Sequence, residues 1–135
     1  MAKIVLANGV FDILHYGHIL YLTEAAKMGA VWVAVTRDKH VNKGPGRPTN
    51  TEEHRLAIIK ALRPVSQAFL CDDSIDALEK VKPHIFVKGM DYIGKIEQRH
   101  ADYCAAHNIA IRFTTTPIYS ATKIINDRFK ESQRV

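Results

Sequence analysis

Cysteine is scarce in this 135-residue chain. Cys71 and Cys104 are the only two and form no CxxC pair, so neither a disulfide scaffold nor a cysteine-built zinc module is indicated. Both read as small buried hydrophobes. Long apolar runs are also missing: no window approaches the roughly 18 uninterrupted apolar residues of a membrane span. The opening MAKIVLANGVFD enters a strand-like pattern without the basic, apolar and small-residue regions of a signal peptide. A cytoplasmic protein with no membrane partner is the expectation. A clustered basic stripe is lacking too. The net charge of +5 arises from 19 Lys and Arg against 14 Asp and Glu scattered along the chain. Without aromatic platforms beside the basic residues, that balance speaks against nucleic acid and for a small polyanion.

What is present is regular. Short apolar runs rich in β-branched or aromatic residues occur at 3–7, 31–35, 67–70, 84–87 and 109–113, too continuous for strands with one wet face. They predict buried parallel strands. Between them, helical spacing predicts helices over 17–28, 51–62, 74–81 and 95–107, with a last one over 120–130. Thr49 or Asn50 can cap the second helix, Asp73 or Ser74 can cap the third, and Pro83 ends the third. Alternating strands and helices joined by right-handed crossovers predict α/β architecture: a single Rossmann-like, doubly wound domain over residues 1–135 with a five-stranded parallel sheet.

Four unusual segments follow strand ends on that map: NGVFDILHYGH, TRDKHVNKGPGRP, KGMDYIG and TTTPIYSATK. All would meet on the carboxyl edge of the sheet, where ligands of such folds bind. His15 and His18 admit three readings. A zinc site lacks a third ligand at recognisable spacing. Plain packing or capping is the bland alternative. A phosphate grip fits the position best, because Gly17 permits close approach, a helix begins there with positive polarity, and two imidazoles three apart can reach one anion.

The stretch GVFDILHYGH resembles the G-x-F-D-x-x-H-x-G-H signature of the cytidylyltransferase-like nucleotidyltransferases, matching at Gly9, Phe11, Asp12, His15, Gly17 and His18. KGPGRPTNTEEHR, VKGMDY and YSATKII continue the resemblance in order through most of the chain. It implies a Rossmann-like sheet on which a nucleoside triphosphate reacts with a phosphorylated sugar or alcohol and releases pyrophosphate. The acceptor phosphate is already anionic near pH 7, so direct in-line attack needs no general base and no covalent intermediate. Positioning and charge neutralisation suffice. By the same resemblance His15, His18 and Lys43 are catalytic. Gly9, Phe11, Asp12, Gly17, Arg55, Lys88, Gly89, Asp91, Tyr92, Ser120 and Thr122 line the nucleotide, while Asp38 and Arg47 contact substrate. Taken without the family, Lys43 and Arg55 are as easily solvated surface charges, Asp38 a turn cap, Gly89 a tight turn and Ser120 an N-cap.

Mg²⁺ accompanying the triphosphate is the implied cofactor, with no protein-held metal, and a homodimer is the implied assembly. The last segment departs from relatives that carry an arginine ahead of the hydroxyls, which weakens the glycerol-3-phosphate branch. KGPGRPTN with VKGMDY and an arginine-free YSATKII is most similar to the branch that adenylylates heptose 1-phosphate. CTP with glycerol 3-phosphate is the alternative, and flavin-nucleotide or coenzyme A precursor adenylylation follows. A nucleotide sensor without turnover is the alternative of another class.

Overall fold

In the computed structural model, which describes residues 2–116, the five apolar runs form one parallel sheet. Chain order is β1 (Ile4–Gly9), α1 (Tyr16–Ala26), β2 (Ala30–Thr36), α2 (Glu52–Lys60), β3 (Val65–Cys71), α3 (Ser74–Val81), β4 (Ile85–Lys88), α4 (Gln98–Ala106) and β5 (Ala110–Phe113). Short 3-10 turns at Asp38–His40 and Met90–Tyr92 follow β2 and β4. The helix expected over 120–130 lies outside the described residues.

Continuous apolar runs become strands here because both faces of the sheet are covered. Val5, Ala7, Val31, Val33, Val35, Ile85 and Val87 pack on one face against Leu22 and Ala25 of α1 and Ile59 of α2. Leu6, Ala34 and Phe86 point the other way, against Ala77, Leu78 and Val81 of α3 and Cys104 of α4. Both cysteines are buried and unpaired. Each fully buried Val or Leu contributes about 1.5–3 kcal/mol. The long α4 expectation shortens at its start, since Gly94 turns left-handed (φ +76°) and Lys95 N–H bonds Tyr92 O before the helix begins. The cap of α2 is Thr51, whose hydroxyl accepts from His54 N–H, and not Thr49 or Asn50. Asp73 caps α3 as expected, and left-handed Lys82 ends it just before Pro83.

Strand order is β3-β2-β1-β4-β5, all pairs parallel. The winding therefore reverses between β1 and β4, and the crevice beyond their carboxyl ends is the place where this architecture binds ligands. Among the described residues no helix is long and apolar enough to cross a membrane.

Candidate functional site

The chain leaves β1 through a tight reversal. Phe11 and Ile13 both take left-handed backbone (φ +52° and +49°), costly for side chains of this size, and Asp12 between them is turned inward. Packing holds the turn. Phe11 is buried in the core and meets the His18 ring edge-on at 5.2 Å, and a side chain on Gly9 would come within 3.0 Å of the Phe11 ring. Phe11 thus backs the His18 ring, and Gly9 makes room for Phe11.

The two histidines cap α1 reciprocally. His15 Nδ1 accepts from Gly17 N–H at 3.1 Å, and His18 Nδ1 accepts from His15 N–H at 3.2 Å. Their rings stack at 3.9 Å. Gly17 is buried and its amide serves this cap. Because each Nδ1 is an acceptor, each neutral ring carries its proton on Nε2 and becomes an Nε2–H donor. Neutrality is enforced. Burial, His15 and Lys43 push His18 down to about 4, and burial with Lys43 also lowers His15. The bland capping alternative is therefore present, and capping sets the tautomer that a phosphate grip would need.

Lys43, on the exposed loop at 42–46, lies near enough for its charge to act on both rings. Partial burial and Arg47 lower Lys43, with Asp12 opposing them. Arg55 and Arg47, also expected to touch ligand, are turned into the protein. Arg55, its side chain fully enclosed, donates to Asn50 O (3.1 Å), Val10 O (2.8 Å) and Asp38 Oδ1 (2.6 Å). Asp38 also accepts from Glu52 N–H at the start of α2. Arg47 Nε donates to Asp12 Oδ2 at 2.8 Å, and Asp12 accepts the Thr49 and Asn50 amides at 2.6 and 2.9 Å. Burial alone would raise the Asp12 carboxyl, but those amides and Arg47 hold it below its ordinary value. Asp12, Arg47 and Arg55 thus form an enclosed frame completed by the partly exposed Asp38, because guanidinium and carboxylate groups withdrawn from water need partners.

At the end of β4, Lys88 is buried with its ammonium 5.0 Å from the Phe86 ring centroid and 4.5 Å from that of Tyr92. Burial lowers it, against Glu97 and Asp91. Gly89 lets the Asp91 carboxylate fold back over the backbone, since a Cβ there would lie 2.6 Å from Asp91 Oδ1. Tyr92 and Met90 remain exposed beside this turn. The segment comes within reach of α1, where Tyr21 donates to Val87 O at 2.9 Å. The Glu24 carboxylate accepts from both the amide and the hydroxyl of Thr115, tying the chain beyond β5 to the same helix. Ser120 and Thr122 lie outside the described residues.

Asn8 escapes the sequence reading. Its amide nitrogen donates to Ala34 O (2.8 Å) and Cys71 Sγ (3.3 Å), while its oxygen accepts from Ser74 (2.6 Å). It ties β1, β2, β3 and α3 beneath the crevice. The available signal was an amide at the end of an otherwise apolar strand.

Residues 6–127 match a family model described as Cytidylyltransferase-like. Bifunctional protein HldE of Azotobacter vinelandii is 43% identical over 115 residues, 82% of this chain but only 24% of that relative's length. FAD synthase of Methanocorpusculum labreanum is 39% identical over 136 residues, covering 94% of this chain and 95% of the relative. The crystal structure of the lipopolysaccharide core biosynthesis protein from Thermoplasma volcanium GSS1 superposes with a TM-score of 0.73 at 33% identity, over 87% of this chain and 100% of that one.

Proposed function

This chain belongs to the cytidylyltransferase-like family and is a nucleotidyltransferase; from that premise we propose that it transfers an adenylyl group from ATP to a sugar 1-phosphate, such as heptose 1-phosphate. The observation that carries the reading is the paired, neutral imidazoles at the start of α1, both fixed as Nε2–H donors under the field of Lys43.

In the proposed reaction an oxygen of the acceptor phosphate forms the new bond to the α-phosphorus of ATP. The bridging α–β P–O bond breaks, and pyrophosphate leaves with its electron pair. His15 and His18 donate to phosphate oxygens as charge grows on them, and Lys43 neutralises charge between the acceptor and the α-phosphate. The polarity of the α1 N-terminus adds to the same effect. Lys88, Gly89, Asp91 and Tyr92 face the nucleoside in this reading. Mg²⁺ accompanying the triphosphate would supply further charge neutralisation on the phosphates. Asp12 and Asp38, which could otherwise ligate a cation, accept instead from Arg47 and Arg55. A homodimer is part of the same proposal, and sedimentation velocity tests it.

The sugar acceptor is supported by the similarity of KGPGRPTN and VKGMDY to the heptose branch and by a structural neighbour named for lipopolysaccharide core biosynthesis. ATP is supported by the adenylate within the product for which FAD synthase is named. That relative matches over nearly its whole length, which favours a second reading, adenylylation of flavin mononucleotide.

A pyrophosphate-release assay decides between them. Purified chain with Mg²⁺ and ATP or CTP is offered heptose 1-phosphate, other sugar 1-phosphates, flavin mononucleotide or glycerol 3-phosphate. Release with ATP and a sugar 1-phosphate supports the proposal. Release only with flavin mononucleotide selects the second reading, and release only with CTP and glycerol 3-phosphate overturns both. Nucleotide binding without pyrophosphate from any pair would mark a sensor.

A further inference from the structure

The loop bearing Lys43 has little of its own to hold it in place. Residues 42–46 are exposed, Gly44 and Gly46 are left-handed (φ +94° and +76°), and nothing lies within 4 Å of where their side chains would be. Its return stem is different. Arg47, Thr49 and Asn50 all converge on the one carboxylate of Asp12, and the Arg47 guanidinium reaches the Asp12 carbonyl as well (3.2 Å). Asp12 is itself immobilised, with its side chain fully enclosed and left-handed residues on both sides. It stands three residues before His15, in the turn that delivers the histidine pair.

We propose that Asp12 is a positioning residue. Its carboxylate fixes the stem of the Lys43 loop to the turn that carries His15 and His18, so that the ammonium and the two imidazoles address the same phosphate. A buried charge accepting two amides and a guanidinium makes stronger bonds than neutral partners would. The inference rests on the role proposed above for Lys43. It goes beyond that role by making Lys43 dependent on a residue that touches no substrate.

The test uses the full chain with Asp12→Asn, Lys43→Ala and the double variant. Hydrogen exchange at the Thr49 and Asn50 amides is expected to quicken at least about tenfold in Asp12→Asn, because a neutral amide is a weaker acceptor than a carboxylate. With the acceptor that gives pyrophosphate, kcat should fall about 10- to 30-fold while the KM for nucleotide stays within about threefold. In the Lys43→Ala background the same substitution should cost no more than about twofold, since the group it positions is gone. If the losses multiply in the double variant, or if amide exchange is unchanged, the proposal is overturned. Should Asp12→Asn fail to fold, Arg47→Met cuts the same stem from the loop side; a smaller loss, again absent in the Lys43→Ala background, is expected. A wild-type chain inactive on every pair would count against the proposed function alone, because the exchange measurement judges the stem independently.

Discussion

Replacing His18 by alanine removes two things together: the Nε2–H donor proposed to face phosphate and the Nδ1 acceptor that caps His15 N–H. The two losses have different sizes and different readouts. Losing one preorganised donor costs about 10²–10³ in turnover, equivalent to about 3–4 kcal/mol of transition-state stabilisation. Losing the cap costs about 1 kcal/mol of stability, or about 4 °C in Tm for a chain of this length. His18→Gln separates them. Residue 18 is the third helical position of α1, where a glutamine side chain reaches back to the N-cap amide and restores the capping box. With its oxygen turned back to the His15 amide, the glutamine NH2 cannot also take the position of the imidazole Nε2–H. Steady-state pyrophosphate release and thermal melting on the three proteins are therefore expected to disagree. Both variants should lose about two to three orders of magnitude in kcat, whereas only His18→Ala should melt early. Turnover in His18→Gln within about threefold of wild type would refute the reasoning, because the cap and not the donor would then carry the effect.

Acid sensitivity should follow from the same residue. His18 is held from its ordinary 6.5 down to about 4, so between those values the unfolded chain binds a proton that the folded chain does not. Stability is thus complete above pH 6.5 and falls by up to about 3 kcal/mol as pH drops toward 4. Urea titrations at pH 5 and 7.5 are expected to show about 2 kcal/mol of that loss in wild type and a smaller one in His18→Gln; equal losses would remove His18 as the cause. Arg55→Met should destabilise by about 2–4 kcal/mol, since it orphans the carbonyls of Val10 and Asn50 and leaves Asp38 without its guanidinium. An unchanged Tm with weakened nucleotide binding would instead return Arg55 to the phosphates. Ser74→Ala should cost about 1–2 kcal/mol through the lost bond to Asn8 with kcat within about threefold, read by denaturation and steady-state kinetics.

The strands were legible because burial on both faces removes the need for alternation, so five uninterrupted apolar runs map onto five strands within a residue or two. The convergence of remote segments on one sheet edge was legible for the same reason: it needs only the strand order of a doubly wound sheet. What the residues do once there was less so. Asp12 pairs with Arg47 across 35 residues and Arg55 with Asp38 across 17, and no local pattern distinguishes an arginine facing a phosphate from one facing a carboxylate. Thr49 and Asn50 have the chemistry of helix caps, yet their amides are taken by Asp12, and the cap falls to Thr51. The histidine tautomers were invisible, because they depend on where two backbone amides point.

The mutual cap of His15 and His18 also sorts cations from anions. A soft divalent metal needs an imidazole lone pair, and in both rings that lone pair already faces an amide of the helix. Nickel or zinc could coordinate either nitrogen only after shifting a proton or unpicking the first turn of α1. The chain thus carries an HxGH sequence that a motif search could mistake for a chelator, folded so that its histidines discriminate by tautomer alone.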